Sequence, residues 1–257
     1  IPPLTGLPVL VTRPAGQPDA LCEHIERFGG TPLRFPTIAI EPVEAPAAEP
    51  CDLVVFVSVN AVMHGKHLLT SIGSTRVAAI GKATAASLRD AKIDVDYVPA
   101  AGFTSEALLA HPALRLEPGM RALIVRGEGG RELLRDTFAA SELIVQTREV
   151  YRRVRPNVDP AARDALESAW AEDNVDVVTL TSVATLENLQ AMLSERGGAL
   201  LRSSRVLVVS ERIREAARAA GLEGEIIAAP AADDASIVGA LAQWRMRART
   251  PVQRQAQ

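Results

Sequence analysis

Short runs of aliphatic and β-branched residues alternate with amphipathic stretches along almost the whole chain. Residues 52–62, DLVVFVSVNAV, show the unit most clearly: an acidic residue, a strand-forming run, then Ser58 before a helical pattern. Apolar runs of this kind are typical of parallel strands buried on both faces. Residues 176–186, DVVTLTSVATL, carry Asp, Val, Ser and Val at the same offsets. The pattern therefore predicts one strand–turn–helix unit that is built twice.

The same alternation continues through both halves of the chain. Strands are predicted at 7–12, 33–35, 76–81, 95–98, 121–126, 143–146 and 205–210. A helix is predicted from Pro18 to Phe28, with Leu21, Ile25 and Phe28 on one face. Further helices are predicted to begin after Gly81 and at Thr104 or Ser105, and another is predicted to end near Ala140. Alignment of Arg13 with Arg126 also superposes Gly16 on Gly129 and Leu21 on Leu134. We therefore expect an α/β protein with two similar lobes, each a parallel sheet flanked by helices.

Composition supports two cores and argues against several classes of protein. The 257 residues are 47% apolar and 23% charged, which suits two folded lobes of about 100–130 residues each. A net charge of -3 argues against a nucleic-acid partner, whose binding domains are usually strongly basic. Two cysteines allow no disulfide framework, and there is no apolar run of ~18 residues for a membrane span. With no secretion signal at its amino end, the chain is expected to be cytoplasmic.

Ligands of open parallel sheets bind at the carboxyl ends of the strands, where turns lead into helices. Unpaired backbone N–H groups at helix starts favour anions there. The candidates at these turns and helix starts are Arg13, Ser58, Lys82, Thr84, Ser105, Arg126, Gly127, Ser182 and Ser210. The alternative is that Ser58, Thr84, Ser105, Ser182 and Ser236 only cap their own helices.

Several familiar site types are absent from the sequence. Residues 127–130, GEGG, are not a dinucleotide fingerprint because Glu132 occupies the third glycine position, and no phosphate-binding GK[ST] loop occurs. His64 and His67 lack a third metal ligand, and no histidine follows a strand as a hydrolytic triad would require. Neither a cofactor nor a metal is expected.

Tyr151 is the unusual polar residue, since it stands in a connector among Arg148, Arg152 and Arg153. Its hydroxyl is suited to donate a proton or a hydrogen bond to a leaving oxygen. The alternative is an aromatic side chain that pins the connector to a lobe.

Together these segments resemble the uroporphyrinogen-III synthase family. The motifs that carry the resemblance are VTRP at 11–14, VFVSVNAV at 55–62, AIGKATAASL at 79–88, TSEAL at 104–108, VRGEGGRELL at 125–134, EVYRR at 149–153 and TLTS at 179–182. The resemblance implies two flavodoxin-like lobes joined by a two-stranded ladder. Residues 1–37 and 156–257 would form one lobe, 45–145 the other, and 38–44 with 146–155 the ladder.

The resemblance also implies a reaction. Hydroxymethylbilane, a linear tetrapyrrole with eight carboxylates, would lose water and close to uroporphyrinogen III with its terminal ring inverted, without cofactor or metal. Tyr151 matches the family tyrosine proposed to assist departure of the hydroxyl, and Ser58, Thr84 and Ser182 match hydroxyls that line the cleft. Residues 210–214, SERIR, depart from the family's glycine–threonine turn, because Ile213 stands where Thr84 stands in the first copy. We expect a monomer; a two-lobed module that closes on a small anion without chemistry is the alternative.

If Arg13 and Arg126 bind substrate carboxylates, Arg13→Ala and Arg126→Ala should raise KM, and added salt should shrink the difference from wild type because exposed charge pairs are screened. Steady-state kinetics at two ionic strengths measure this. An unchanged KM in both variants would assign the two arginines to internal ion pairs instead.

Overall fold

A computed structural model describes residues 2–14, 20–102 and 104–249, and it divides the chain into two compact units. The first unit comprises Ile1–Ala39 and Arg155–Gln257, and the second comprises Ile40–Val154. Each unit is built on one five-stranded sheet. The lobe and ladder boundaries expected from the sequence stay a prediction.

Strands and helices alternate along most of the chain. The strands are β1 (Pro8–Val11), β2 (Thr31–Arg34), β3 (Ala39–Pro42), β4 (Leu53–Phe56), β5 (Arg76–Ala79), β6 (Arg121–Gly127), β7 (Ile144–Val154), β8 (Val177–Leu180), β9 (Arg205–Val208) and β10 (Ile226–Ala228). The helices are α1 (Ala20–Arg27), α2 (Val59–Gly65), α3 (Leu69–Ile72), α4 (Lys82–Asp90), α5 (Ser105–Leu109), α6 (Leu133–Ala140), α7 (Pro160–Ala171), α8 (Val183–Met192), α9 (Glu195–Ser203), α10 (Glu211–Ala219) and α11 (Asp234–Arg249), with a 3-10 turn at Lys66–Leu68. The exceptions to the alternation include β2, β3 and β4, which follow one another directly, and the consecutive helices α4–α5 and α8–α9.

The two sheets share the order of four of their five strands. In the first unit it is β2-β1-β8-β9-β10, and in the second it is β5-β4-β6-β7-β3. The pairs β1·β2, β1·β8, β8·β9 and β9·β10 are parallel, as are β4·β5, β4·β6 and β6·β7. Counted from β1 or β4, the first four strands of each unit follow the 2-1-3-4 order of flavodoxin-like folds; the outer position beside the fourth strand is taken by β10 in the first unit and by β3, which precedes β4 in the chain, in the second. The predicted fold class is confirmed for both units.

Both faces of each sheet are covered. In β4 the side chains of Leu53 and Val55 join one buried cluster, whereas those of Val54 and Phe56 join another. In β1, Leu10 and its neighbour Val9 likewise belong to two different clusters. Successive strand residues point to opposite faces, so an all-apolar strand needs a core on each side. This arrangement is the physical reason for the unbroken apolar runs.

The repeated strand–turn–helix unit is confirmed in the backbone. Ser58, Ser182 and Ser210 cap α2, α8 and α10 with nearly the same extended conformation, φ near -160° and ψ near 160°. Each hydroxyl accepts a hydrogen bond from the backbone N–H three residues later. Gly81 has the same extended conformation before α4 but offers no side chain.

Three of the five capping predictions are wrong. Thr84 is a buried residue inside α4, whose N-cap is Gly81. The helix α5 is capped by Thr104, which accepts from the Ala107 N–H, and Ser105 is already helical. At the start of α11, Asp233 accepts from both the N–H and the hydroxyl of Ser236, so Ser236 is a donor there. For Ser105 and Ser236, a polar residue slightly earlier in the chain has the better position for the unpaired N–H groups.

Three element predictions also need correction. The strand expected at 95–98 is only a single bridge between Tyr97 and Ala78. The strand at 143–146 and the following connector are one strand, β7, because β6 offers it a long parallel partner. The helix predicted to reach Phe28 ends at Arg27, and Phe28 is 38% exposed, whereas Leu21 and Ile25 of the same predicted face are buried. The predicted helix start at Pro18 and the aligned Gly16 lie outside the described residues.

The two connector segments predicted to form a ladder lie side by side in the second sheet. The strand β3 is the neighbour of β7, and the Val43 N–H donates to the Val150 carbonyl at 3.0 Å. Val150 and Tyr151 of β7 belong to the buried cluster that also holds Val54 and Phe56. The segment that contains Tyr151 is therefore part of the core of this unit.

Gly65→Ala should destabilise the protein by about 1–3 kcal/mol, the usual cost of overpacking. A Cβ at Gly65 would lie 2.4 Å from Val125 Cγ1 and 3.2 Å from Val150 Cγ2, where α2 packs on β6 and β7. Urea unfolding monitored by circular dichroism measures the change. Gly239→Ala is the matched control, since a Cβ there meets nothing within 4 Å and alanine favours the helix α11. Equal midpoints for the two variants would contradict the close packing of α2.

Candidate functional site

In the second unit, the point where the sheet order reverses lies between β4 and β6. Ligands of such sheets bind at this switch point, outside the carboxyl ends of the strands. Ser58 follows β4 there, and Tyr151 lies beside the end of β6, paired in register with Gly127. Their hydroxyl oxygens are 3.1 Å apart. Two residues separated by 93 positions thus form one hydroxyl pair.

Tyr151 is only 3% exposed and belongs to the core of its unit. Its ring lies directly on Gly127, where an added Cβ would come within 2.5 Å of the ring carbon Cζ. His64 approaches the ring at 6.2 Å between centroids, and the Arg153 guanidinium lies 5.8 Å from the ring centroid. A glycine is therefore required at position 127 for the ring to occupy this place. The Tyr151 ring packs in the core of its unit, as the alternative interpretation expected, and its hydroxyl faces Ser58.

The three arginines that flank Tyr151 in sequence have separate tasks. Arg148 donates to the carbonyls of Pro46 and Ala47 at 3.0 Å each, which holds the connector before β4. Arg152 pairs with Glu41 of β3 at 2.9 Å. Only Arg153, which is exposed, lies over the ring. Alternate strand residues face opposite sides, which separates neighbours in sequence.

Arg126 is buried and serves as an internal clamp. It donates to Glu132 at 2.8 Å and to Glu149 at 3.1 Å, and also to the carbonyls of Gly130 and Arg131. Burial disfavours its charge, but the hydrogen bond that it donates to Glu132 and the charges of both carboxylates outweigh that effect and raise the pKa of Arg126. The hydrogen bond from Arg126 lowers the pKa of Glu132. These carboxylates and carbonyls already occupy several of the N–H donors of Arg126. The contact of Arg126 with a substrate stays a prediction.

A cavity of about 390 Å³ opens beside this clamp. Its apolar wall consists of Val57, Ile80, Ile124 and Leu134, and its polar wall of Thr104, Ser105, Arg126, Gly130, Arg131 and Arg153. Arg131 is 78% exposed and holds Glu106 only loosely at 3.7 Å. The cavity combines an apolar floor with cationic groups at its rim. That combination suits an organic anion.

Lys82 and Thr84 belong to one helix start but differ in exposure. Lys82 is exposed at the first position of α4, whereas Thr84 is only 5% exposed. Ile213, which replaces this threonine in the other copy of the turn, is likewise buried at 4%. The departure at 210–214 thus falls on a position that faces the core. The exposed polar groups of that turn are Ser210, Glu211 and Arg212.

In the first unit the reversal lies between β1 and β8. Arg13, after β1, forms an ion pair with Asp234 and also donates to the Ala232 carbonyl, so its contact with a substrate stays a prediction. Ser182, after β8, accepts from the Thr185 N–H at 3.0 Å, and its hydroxyl lies 2.8 Å from that of Thr185. This edge therefore presents hydroxyls and a paired arginine.

Three buried threonines of the first unit were not anticipated. Thr12 donates to the Thr179 carbonyl, Thr179 donates to the Leu10 carbonyl at 3.1 Å, and Thr37 donates to the Thr12 carbonyl at 3.1 Å. These hydroxyls join neighbouring strands where ladder pairing between β1 and β8 is short. A threonine within an apolar strand run is the sequence signal that could have predicted these hydrogen bonds between strands.

Within residues 2–14, 20–102 and 104–249, no group of three His, Cys, Asp or Glu side chains is placed to hold a metal ion. Cys22 and Cys51 are buried and form no disulfide, and burial raises the pKa of the Cys51 thiol, which keeps it protonated and unreactive. None of the helices described here is both long and apolar enough to cross a lipid bilayer.

The fold and the site define a class: α/β proteins of two flavodoxin-like units with polar groups at their switch points. The sequence profile of uroporphyrinogen-III synthase HemD matches residues 19–238, so the chain belongs to the uroporphyrinogen-III synthase family. It is 34% identical over 249 residues to the uroporphyrinogen-III synthase of Salmonella typhimurium, covering 91% of this chain and 99% of that one. It is 32% identical over 248 residues to the Escherichia coli uroporphyrinogen-III synthase, with the same coverage of 91% and 99%.

Solved structures of similar proteins support the fold. The uroporphyrinogen-III synthetase of Helicobacter pylori matches with a TM-score of 0.60 at 12% identity, covering 95% of this chain and all of that one. A mutant uroporphyrinogen III synthase of Thermus thermophilus matches with a TM-score of 0.51 at 22% identity, covering 93% and 99%. At these identities the likeness concerns the fold alone.

Arg126→Ala should lower the free energy of unfolding by about 1–3 kcal/mol at neutral pH, because Glu132 and Glu149 lose a shared charged donor. The pKa of Glu132 is lowered in the folded protein, so its contribution is present above its ordinary value of 4.5 and is lost as pH falls through the folded value. The difference between wild type and variant should therefore shrink below pH 4.5. Chemical unfolding across this range measures it, with the exposed Arg131→Ala as control. A difference that is constant with pH would contradict the clamp.

Proposed function

We propose that this chain cyclises hydroxymethylbilane to uroporphyrinogen III, with loss of water and inversion of the terminal ring. The observation that carries the proposal is membership of the uroporphyrinogen-III synthase family, with 34% identity over 99% of the Salmonella relative. The second observation is chemical. The residues at the switch point of the second unit are hydroxyl and cationic groups that suit an anionic substrate losing water.

The reaction requires little strong acid–base chemistry. Departure of the hydroxymethyl oxygen as water leaves an azafulvene, and attack on the terminal ring at its substituted carbon gives a spiro intermediate. Fragmentation and reclosure then invert that ring. Unassisted closure gives the uninverted isomer, so the catalyst must hold the reactive chain in one conformation. Catalysis here is mainly positioning, with hydrogen-bond donors placed on the leaving oxygen.

We assign the reacting end of the substrate to the hydroxyl pair of Ser58 and Tyr151. The carboxylates are assigned to the cationic groups and helix starts at the carboxyl ends of the strands, since both favour anions. In the second unit these are Lys82, Ser105, Arg126 and Gly127, with Thr84 behind them; in the first unit they are Arg13, Ser182 and Ser210. Lys82 and Ser210 are exposed, which is what such a contact requires.

Two further features belong to the same proposal. The chain is proposed to act as a monomer, with hydroxymethylbilane as its small-molecule partner and without nucleic acid. Its location is proposed to be cytoplasmic, since two cysteines that form no disulfide suit a reducing compartment. Neither cofactor nor metal is needed by the proposed reaction.

The decisive experiment is incubation of the purified chain with freshly made hydroxymethylbilane, followed by oxidation and chromatographic separation of the type I and type III porphyrins. We expect type III to dominate with the chain and type I to form without it. Heat-denatured chain is the matched control for protein-independent closure. Type I alone, together with measurable binding of the substrate, would instead establish a non-catalytic module that binds an anionic ligand.

A further inference from the structure

The proposed function leaves open which hydroxyl of the pair meets the substrate. Tyr151 is 3% exposed, and its ring is enclosed by Gly127 and the core of its unit. Ser58 is partly exposed at the turn between β4 and α2. A group that protonates a leaving oxygen must come within about 2.6–3.2 Å of it. Burial thus separates the tyrosine from the substrate, while the serine stands at the surface of the site.

The hydrogen bonds indicate the direction in which the pair is polarised. A hydroxyl has one proton and two acceptor lone pairs. The Ser58 oxygen accepts from the Ala61 N–H at 3.0 Å, and the Tyr151 oxygen lies 3.1 Å from it. Ser58 is the one hydrogen-bond partner that the described part of the chain gives the Tyr151 hydroxyl. A buried hydroxyl that donates to nothing is costly, so the Tyr151 proton is directed at Ser58.

With this polarisation, both acceptor lone pairs of the Ser58 oxygen are used, and the Ser58 O–H is available to donate to another group. One lone pair faces the Ala61 N–H and the other the Tyr151 O–H. The serine proton then points away from both, toward whatever occupies the switch point. Chains of hydroxyls polarise one another, so donation from Tyr151 strengthens Ser58 as a donor.

We propose that Ser58 is the catalytic residue that donates to the departing hydroxyl of the substrate, and that Tyr151 is a positioning residue that acts through it. The bond between the hydroxymethyl carbon and its oxygen breaks, and that oxygen leaves as water with the proton of Ser58. Ser58 takes the proton of Tyr151 in the same step. At reclosure the unsubstituted α-carbon of the terminal ring forms the new bond and loses its hydrogen as the ring regains aromaticity, and that proton returns along the same path to Tyr151. The inference rests on the proposed function, because it assumes that reaction.

Variants of the two residues test whether they act in series. Tyr151→Phe keeps the ring on Gly127 and removes only the oxygen, and it should lower kcat at least ~10-fold with little change in KM. Ser58→Ala should give a loss of similar size. The double variant should lose no more than the larger single loss, because removing either member breaks the same path. Losses that multiply to about 100-fold or more would show independent roles and overturn the proposal.

Loss of the helix cap must be separated from loss of the proton path. Ser58→Ala also removes the cap of α2, which destabilises that helix. Ser58→Asn keeps a capping oxygen but has no hydroxyl, and should be as slow as Ser58→Ala. Ser58→Thr keeps both the capping oxygen and the hydroxyl, and it should retain most of the wild-type kcat. Asp159→Ala removes the comparable cap of α7 and should leave kcat unchanged. Wild-type kcat in Ser58→Asn would overturn the proposal.

A proton inventory supplies a readout that a structural role would not change. Two protons move in one step, so kcat should fall as a curved function of the deuterium fraction of the solvent in the wild type. Tyr151→Phe should give a straight line, because one of the two protons is gone. A straight line in the wild type would contradict the path through Ser58. Failure of the unmodified chain to form the type III product would instead remove the proposed function, and this inference with it.

Discussion

Burial of the parallel strands on both faces is the constraint on which the rest of this structure depends. Val54 and Val55 are neighbours in the chain but enter different cores, so β4 has room for no polar side chain. The polar groups that flank β4 are thereby confined to its ends, and at its carboxyl end the chain turns into a helix. Because the paired strands are parallel, such turns collect at one edge of each sheet. The site is a consequence of how the core is built.

The strand–turn–helix units were predictable from sequence because their signals are local. A short apolar run, a serine and an amphipathic segment lie within about a dozen residues at Ser58 and again at Ser182. The caps at Ser105 and Ser236 were mispredicted because capping is decided by backbone geometry within a turn, and Thr104 and Asp233 have the better positions. Sequence pattern identifies the turn but resolves its boundaries only to a residue or two.

The roles of the arginines were not predictable, because they depend on contacts between segments distant in the chain. Arg126 ends an apolar strand, as a ligand-binding arginine would, yet Glu149 of the neighbouring strand reaches its guanidinium at 3.1 Å. Likewise, the three arginines around Tyr151 read as one cluster, whereas the pleat of β7 gives them separate partners. A cationic residue in a sequence shows that charge is present. Which carboxylates pair with that charge depends on the tertiary fold, which brings distant segments together.

The burial of Tyr151 changes what a tyrosine at this position can do. A phenol in the core is held rigidly by Gly127, and this rigidity fixes the oxygen beside Ser58 at 3.1 Å. An exposed tyrosine side chain would lose conformational entropy on adopting the same geometry. The serine, in turn, is fixed by its own cap to α2. Two weak donors, each held by the fold, offer the leaving oxygen an oriented proton. A reaction that needs orientation more than acidity requires little else.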